Sequence, residues 1–488
     1  MQDIALLTDL YQLTMMQGYY QNGYEDKEAV FDLYFRKIPS GGGYAIAAGL
    51  EQVVEYIESL RFSPEDIAYL KGLDMFDEEF LKVLKDFRFN GDIDAVPEGT
   101  VVFPYEPLVR VKARIFEAQL IETALLNIVN FETLIATKAS RVVAAAGGDS
   151  VMEFGLRRAQ GPDAGILGSR AAFIGGCQFT SNVLAGKRYG IPLSGTQAHS
   201  WIQCFPSELE AFRAYARTFP DQCLLLVDTY NVLKSGVPNA IKVGLELEAE
   251  GHRFLGIRID SGDLTYLSRE ARKMLDEAGL KKARIVASND LDEHTISAIR
   301  AQGAAVDSWG VGTHLITSKD TPALGGVYKL SAEGQNGDFE PRLKVSENIS
   351  KITNPGVKKI VRFYDRGGKA MADLIALEEE HFEEPLTIFD PIETWKRKTL
   401  TDFKTRELLV PVFRGGKRVY ELPYLKDIQT YAQHECETLW DEVKRLVNPH
   451  RYIVDLSPKL FELRQSLLLE ISTKVEEGQT RRGSNILI

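Results

Sequence analysis

Cysteine is scarce in this chain, and no two cysteines lie close together in sequence. The 488 residues include four of them, at Cys177, Cys204, Cys223 and Cys436. A structural zinc site needs closely spaced cysteines, and a disulfide framework needs a high density of them. We therefore expect neither feature, and we expect a protein of the reducing cytoplasm.

The chain also lacks an excess of positive charge and a long apolar run. It has 58 Lys and Arg against 69 Asp and Glu, which gives a formal net charge of −11. Nucleic-acid partners need clustered cations, and a bilayer-spanning helix needs about 20 apolar residues. We therefore expect no nucleic-acid or membrane partner and, since the first residues lack a basic segment, no signal peptide. Any phosphate-bearing ligand must be held in a local basic pocket.

The length of the chain predicts about two or three domains. We expect a mixed α+β region over 1–125, an α/β barrel over 126–345 and a C-terminal region over 346–488 that packs on the others. Within 1–125, residues 101–111 contain two prolines and predict an edge strand with turns. In the central region short apolar strands alternate with helical segments, which is typical of a parallel sheet.

About eight strand candidates in the central region predict an irregular, TIM-like α/β barrel. The candidates are 152–154, 171–174, 191–193, 223–227, 254–259, 283–287, 308–311 and 326–330. In such barrels the chemistry lies at the carboxyl ends of the strands. Polar residues follow the candidates at these ends, namely Arg157, Arg158, Ser181, Asn182, Thr196, His199, Asp228, Thr229, Arg258, Asp260, Ser261, Asp263, Ser288, Asn289, Asp290 and Thr313.

His199 is one of only seven histidines and is flanked by small residues. A histidine can act as a general base, a metal ligand or a phosphate acceptor. Taken alone, His199 fits a hydrogen-bonded loop residue better than any of these roles. Its position among the other strand-end residues favours a functional role.

Arg258 and Asp260 lie two positions apart on a predicted strand, so their side chains point to the same side. A guanidinium recognises carboxylate or phosphate through two parallel hydrogen bonds. A neighbouring carboxylate can hold Mg²⁺ or ribose hydroxyls. The alternative is an internal salt bridge followed by a helix N-cap at Ser261 or Asp263.

Two further segments are candidates for binding phosphate. Arg157 and Arg158 place two guanidiniums on a strand-end loop, although an exposed pair bridged to carboxylates would look the same. Gly310, Gly312 and Thr313 form a loop whose backbone N–H groups could cradle a phosphate. Each signal is weak by itself.

Taken together, these segments resemble the nicotinate phosphoribosyltransferase family. The matching segments, in family order, are LTDLYQ (7–12), GGGY (41–44), EFGLRRAQGP (153–162), SNVLAG (181–186), GTQAHS (195–200), DTY (228–230), RIDSGD (258–263) and GVGT (310–313). The last third of the chain matches only loosely. The resemblance implies an irregular α/β barrel of type II phosphoribosyltransferases with a mixed N-terminal domain, and a dimeric active unit.

The resemblance also implies a reaction. Nicotinate and phosphoribosyl pyrophosphate would give nicotinate mononucleotide and pyrophosphate, with Mg²⁺ as cofactor and ATP as co-substrate through a phosphohistidine at His199. This reaction begins the salvage of nicotinate into NAD. Phe154 and Tyr11 would contact the ring, Tyr11 from the neighbouring subunit, and Arg258 would bind the carboxylate.

The resulting set of site residues covers catalysis, substrate binding and a metal. His199, Asp260 and Asp263 are expected to be catalytic, with Asp260 also a metal ligand. The expected substrate-binding residues are Tyr11, Phe154, Arg157, Asn182, Thr196, Arg258, Gly310, Gly312 and Thr313.

Two alternatives stay open at this point. A nicotinamide-using relative would share the barrel and the histidine, but it tends to carry an acidic side chain where this chain has Ser181 and Asn182. An amide or hydroxyl there suits a carboxylate-bearing ring better, because two carboxylates would repel. The second alternative is a barrel that binds a metabolite without turning it over.

Overall fold

A computed structural model of the chain describes residues 4–348 and 351–483. Its helices are α1 (Leu10–Gln21), α2 (Leu50–Ser59), α3 (Pro64–Gly72), α4 (Glu78–Lys85), α5 (Ile115–Leu120), α6 (Glu122–Ala146), α7 (Pro162–Ile174), α8 (Val183–Tyr189), α9 (His199–Gln203), α10 (Glu208–Thr218), α11 (Val237–Ala249), α12 (Leu264–Glu277), α13 (Glu293–Ala301), α14 (Thr313–Ile316), α15 (Leu425–Thr438), α16 (Asp441–Lys444) and α17 (Pro458–Gly483). Across the described residues, no helix combines the length and the apolar character that crossing a bilayer requires.

The strands belong to three larger sheets and two short pairs. They are β1 (Glu28–Tyr34), β2 (Ala45–Ile46), β3 (Asp92–Ala95), β4 (Val101–Val102), β5 (Val109–Arg114), β6 (Ser150–Glu153), β7 (Phe179–Thr180), β8 (Leu224–Leu226), β9 (Gly256–Ile259), β10 (Arg284–Asn289), β11 (Ser308–Val311), β12 (Val327–Gln335), β13 (Asp338–Pro341), β14 (Lys358–Tyr364), β15 (Ala370–Leu377), β16 (Leu386–Phe389), β17 (Arg397–Leu400), β18 (Lys404–Glu407), β19 (Val410–Arg414), β20 (Lys417–Arg418) and β21 (Val454–Leu456).

The chain divides into two compact units. The first contains the residues up to Thr133, Leu324–Tyr424 and the residues from Gln433 on, and the second contains Leu134–Ala323 and Leu425–Ala432. The first unit therefore groups the two ends of the chain, which the sequence analysis treats as the separate regions 1–125 and 346–488.

The second unit is built on six parallel strands, paired in the order β7-β6-β11-β10-β9-β8. Helices follow most of these strands, so the prediction of an irregular α/β fold is confirmed. Most of the strand residues are buried, which explains why these segments read as continuous apolar runs in the sequence. The carboxyl ends of the six strands lie along one edge of the sheet.

Three of the strand candidates are corrected by the structure. Residues 171–174 form the end of α7, because Pro162 begins a helix whose alanines favour it over a strand. Residues 191–193 contribute a single bridge between Leu193 and Thr180. Residues 326–330 lie mostly in β12, which pairs antiparallel with β1 in the first unit.

The first unit contains a seven-stranded sheet in the order β13-β12-β1-β5-β3-β19-β20. Strand β5 lies between β1 and β3, so the prediction of an edge strand over 101–111 is wrong. Pro104 and Pro107 lie in the connection between β4 and β5 and remove no hydrogen bond from the sheet.

A second sheet of the first unit, in the order β18-β14-β15-β21, holds a buried ionic cluster. Arg362 is fully buried and donates hydrogen bonds to Asp373 and Glu435 and to the backbone carbonyl of Val101. Burial opposes the charge of this guanidinium, but the Asp373 carboxylate outweighs burial and raises the pKa of Arg362. The cluster is a structural element of the core.

Candidate functional site

The carboxyl edge of the six-stranded sheet opens into a cleft of ≈ 340 Å³. Most of its side chains come from residues at the ends of β6 and β9 and from the loop that precedes α9. The lining residues are Phe154, Leu156, Arg157, Ser181, Gly195, Thr196, Gln197, Ala198, His199, Leu226, Arg258 and Asp260. The structure thus brings together six of the residues expected from the sequence to be functional.

Arg258 is held in the cleft by three acceptors of the protein. Its Nε donates to Ser288 Oγ (2.8 Å), one Nη to Thr196 Oγ1 (3.0 Å) and the other Nη to Asp260 Oδ1 (2.8 Å). A guanidinium has five N–H donors. Among the described residues, two of them, one on each terminal nitrogen, therefore remain for a ligand, and a carboxylate or phosphate can accept two such donors in a bidentate pair.

Asp260 remains ionised in this setting. Burial alone would raise the pKa of its carboxyl, but hydrogen bonds from Ser288 and Arg258, together with the nearby His199, lower the pKa below its usual value. The salt bridge between Arg258 and Asp260, which the sequence left open as the alternative to ligand binding, is present, and it leaves the second oxygen of Asp260 facing His199.

His199 is the first residue of α9, and 43% of its side chain is exposed. Its Nδ1 lies 3.2 Å from Thr229 Oγ1. Its Nε2 lies 3.8 Å from Asp260 Oδ2 and 4.0 Å from Asp228 Oδ1. The imidazole is thus oriented by neighbours on both sides while remaining open to the cleft.

Asp228 is a second carboxylate beside Asp260, and its side chain is almost fully buried. Its Oδ2 accepts hydrogen bonds from the backbone N–H of Asp260 (3.1 Å) and from Ser261 Oγ (2.7 Å). Its Oδ1 has no hydrogen-bond partner among the described residues. The sequence placed Asp228 at a strand end without assigning it a role.

Phe154 forms the apolar floor beneath Arg258, whose Cζ lies 5.8 Å from the ring centroid. A Cβ at Gly310 would lie 2.7 Å from this ring, so only glycine allows the ring to occupy this position. Gly310 is therefore a packing residue of the site, whereas the sequence analysis expected it in a phosphate loop.

Several expected site residues have other contacts. Asp263 is the N-cap of α12 and accepts from the backbone N–H of Tyr266 (3.0 Å), which is the alternative weighed from the sequence. Asn182 is buried and caps α8 through the backbone N–H of Ala185 (3.2 Å). Gly312 and Thr313 lie at the start of α14 and are not among the residues that line the cleft. Tyr11 lies on α1 in the first unit and is half exposed.

Sequence profiles of known families match this chain over most of its length. The N-terminal domain of nicotinate phosphoribosyltransferase (NAPRTase) matches residues 6–130, the NAPRTase family matches 150–336, and the C-terminal domain of nicotinate phosphoribosyltransferase matches 357–464. The chain belongs to the nicotinate phosphoribosyltransferase family.

Individual nicotinate phosphoribosyltransferases agree with this assignment. The chain is similar to that of Bacillus subtilis, with 46% identity over 97% of both chains. Its fold is similar to the crystal structure of human nicotinic acid phosphoribosyltransferase, with a TM-score of 0.83 and 33% identity over 94% of this chain and 99% of that one. A nicotinate-nucleotide pyrophosphorylase of Pyrococcus furiosus, at 22% identity, shares the fold with a TM-score of 0.69, over 89% of this chain and 95% of that one.

Gln197 is a cleft residue that the sequence analysis missed. Its side chain is 7% exposed, and neither its amide nitrogen nor its amide oxygen has a hydrogen-bond partner among the described residues. An unpartnered buried amide is costly, by about 1–3 kcal/mol for each group. The only signal in the sequence is its place between Thr196 and His199.

The carboxylates of the cleft suit a hard cation. Within the described residues no group of three or more metal-ligating side chains is present, so the protein alone does not form a closed metal site. Asp260 and the unpartnered oxygen of Asp228 offer oxygen ligands of the kind that Mg²⁺ prefers. Mg²⁺ commonly binds through one or two carboxylates and completes its coordination with substrate phosphates.

Proposed function

We propose that this protein transfers the phosphoribosyl group of phosphoribosyl pyrophosphate to nicotinate, giving nicotinate mononucleotide and pyrophosphate. The observation that carries the proposal is the guanidinium of Arg258, which keeps two N–H donors for a ligand. It lies over the Phe154 ring, beside two carboxylates and His199. The names of the relatives support it. We place the reaction in the cytoplasm, where nicotinate would enter the synthesis of NAD.

The cleft supports catalysis by positioning. The two remaining N–H donors of Arg258 would bind the nicotinate carboxylate, and Phe154 would contact the face of the ring. The nucleophile is the pyridine nitrogen, which has no proton to lose, so no general base is required. Holding this nitrogen in line with the anomeric carbon lowers the entropic part of the barrier, and the transition state resembles an oxocarbenium ion.

The carboxylates would act on the other side of the reacting carbon. Asp260 and Asp228 would hold Mg²⁺, which neutralises charge on the departing pyrophosphate when it is bound. The low pKa of Asp260, set by Ser288 and Arg258 against the effect of burial, keeps this ligand ionised at neutral pH. Arg157, exposed at the rim of the cleft, adds a cation for the phosphates.

His199 would couple the transfer to ATP. A ring nitrogen of the neutral imidazole would attack the γ-phosphorus, a new N–P bond would form, and the bond to the ADP oxygen would break. Water would later hydrolyse the phosphoimidazole and release phosphate. The exposed ring, oriented by Thr229 and by the two carboxylates, suits such an acceptor.

We also propose a homodimer in which Tyr11 of one subunit contacts the ring in the other subunit. The exposure of Tyr11 on α1 supports this arrangement. A monomer that is fully active at assay concentration, measured by light scattering together with turnover, would contradict it.

The test of the reaction is an assay of pyrophosphate release with nicotinate and nicotinamide side by side. We expect kcat/KM for nicotinate to exceed that for nicotinamide by at least about a hundredfold. Nicotinamide has no carboxylate, so the two remaining N–H donors of Arg258 would lack their charged acceptor. Equal turnover would favour a nicotinamide-using enzyme. Binding of both substrates with no pyrophosphate released would favour a non-catalytic barrel.

A further inference from the structure

The first unit contains a second cavity, of ≈ 370 Å³, which none of the roles above uses. It is formed by the segment after β1, the β4–β5 connection, the segment before β14, and the C-terminal residues around β21 and α17. We call it the arginine cavity, because Arg36, Arg451 and Arg464 all line it. Its volume falls in the range of small-molecule sites.

Within the residues that the structure describes, Arg464 is a buried cation with no carboxylate partner. It is 9% exposed, and its only hydrogen bond among the described residues runs from Nη1 to Asn354 Oδ1 (3.3 Å). Its Nε is buried and finds no partner in the described ranges 4–348 and 351–483. Burial, as the main influence, lowers the pKa of this guanidinium. Charges in such positions are normally paired, because a buried ion without a partner loses its hydration with nothing to replace it.

Arg36 is a second guanidinium at the same cavity, and its Nε is also buried, with no hydrogen-bond partner among the residues described. Its Cζ lies 5.9 Å from the centroid of the Tyr34 ring, and Tyr34 is 6.2 Å from Tyr105. Arg464 interacts electrostatically with both tyrosines. The two unpaired cations therefore lie near the same tyrosine pair.

The negative charge in the cavity does not compensate these two arginines. Among the described residues that line the cavity, Asp390 is the only acidic one, and its oxygen lies 3.5 Å from Arg451. Two cations that have no counter-ion within the described part of the chain thus line a cavity in a protein of net charge −11. This arrangement favours an anionic ligand.

The rest of the wall is mainly apolar. Phe103 and Tyr452 stack with ring centroids 4.0 Å apart and planes 9° apart, which forms a rigid aromatic surface. The other apolar lining residues include Ile38, Ile352, Ile375 and Val454. Inorganic phosphate would fill little of this space, whereas an anion attached to an apolar body would bury the wall as well.

We propose that the arginine cavity binds a small organic anion, with one carboxylate or phosphate group on Arg36 and Arg464 and an apolar body against the Phe103 side. This site is independent of the proposed transfer reaction. The shared chemistry is the anionic group, and the source is either an aromatic carboxylate or a nucleoside monophosphate.

The experiment is calorimetric titration of the full chain carrying Arg258→Met, which removes the carboxylate fork of the other cleft. Benzoate, adenosine 5′-monophosphate and inorganic phosphate are the three probes. We expect one of the two organic probes to bind with a dissociation constant below about 1 mM. Tighter binding of benzoate identifies a carboxylate, and tighter binding of the nucleotide identifies a phosphate ester.

Variants then locate the site. Arg464→Met and, separately, Arg36→Met should each weaken binding about tenfold or more, because each removes charge-assisted hydrogen bonds. Arg366→Met is the matched control, since Arg366 is exposed and paired with Asp402, and it should change nothing. The proposal is overturned if neither organic probe binds, if both cavity variants bind as the parent does, or if inorganic phosphate binds as tightly as the organic probes. Thermal melting of each variant confirms that the chain is folded.

Discussion

The replacement of Arg258 by methionine tests the substrate assignment most directly. Three of the five guanidinium donors are occupied by Ser288, Thr196 and Asp260, so two remain for the carboxylate of nicotinate. Each hydrogen bond between charged groups contributes about 1.5–3 kcal/mol, so the two together contribute about 3–6 kcal/mol. At about 1.4 kcal/mol per factor of ten, Arg258→Met should lower kcat/KM for nicotinate by about 10²–10⁴.

The same substitution also removes the partner of Asp260, which would disturb catalysis with any ring. The decisive quantity is therefore the ratio of kcat/KM for nicotinate to kcat/KM for nicotinamide, measured by pyrophosphate release. Damage through Asp260 lowers both values equally and cancels in the ratio. Loss of the carboxylate contact lowers only kcat/KM for nicotinate, so the ratio should fall strongly.

A control within the same cleft sharpens this result. Arg157 is exposed at the rim and is proposed to act on the phosphates, which both substrates share. Arg157→Met should thus lower both kcat/KM values and leave their ratio unchanged. If Arg258→Met leaves the ratio of the two kcat/KM values unchanged, the nicotinate carboxylate is bound elsewhere, and the role proposed for Arg258 is wrong.

Further expected outcomes concern the carboxylates, the histidine and the core. Asp228→Asn should raise the Mg²⁺ concentration needed for half-maximal turnover about tenfold or more, because an amide is a poor ligand for a hard cation; an unchanged Mg²⁺ titration would exclude Asp228 as a ligand. Asp263→Asn should leave turnover and stability nearly unchanged, since asparagine caps helices as well as aspartate does. His199→Asn should abolish ATP hydrolysis while a slow ATP-independent transfer remains, and γ-labelled ATP should give an acid-labile label in the parent only. Arg362→Met should lower the free energy of unfolding in urea by about 3–5 kcal/mol, because it leaves buried carboxylates unpaired.

The convergence of the strand-end residues could be predicted from the sequence. Parallel strands place their carboxyl ends at one edge, so Phe154, Thr196, Arg258 and Asp260 had to be neighbours once the strands were recognised. Their order along the chain carries this information without any contact being known. The irregular α/β class followed from the same alternation of strands and helices.

The wrong predictions of strands arise where a short sequence pattern is compatible with more than one kind of secondary structure or sheet pairing. Residues 171–174 are apolar enough for a strand, but the helix that begins at Pro162 continues through them. Residues 326–330 do form a strand, and nothing in their own composition distinguishes a parallel neighbour from the antiparallel β1. Asp263 is a different case, because the sequence already offered a helix N-cap as an alternative, and the structure shows that it caps α12.

The possible role of Gln197 in the cleft could not be predicted from the sequence. Burial and the absence of a partner are properties of the surroundings, and a glutamine in a loop is ordinarily exposed. Only the structure shows that the amide of Gln197 is buried at the cleft and has no partner among the described residues, which makes it a candidate ligand-binding group. Asp228 was visible as a strand-end carboxylate, but only the fold shows that the backbone N–H of Asp260 occupies its Oδ2 and that its Oδ1 has no partner among the described residues.

The contacts of Arg258 explain how the cleft can both select a carboxylate-bearing ring and hold Asp260 in position. Ser288, Thr196 and Asp260 fix the guanidinium before any ligand arrives, so little side-chain entropy is lost when a carboxylate binds. The same contacts hold Asp260 ionised, with its second oxygen directed towards His199. The residue proposed to select the ring therefore also orients the carboxylate on the phosphate side, because Arg258 contacts Asp260 both directly and through Ser288.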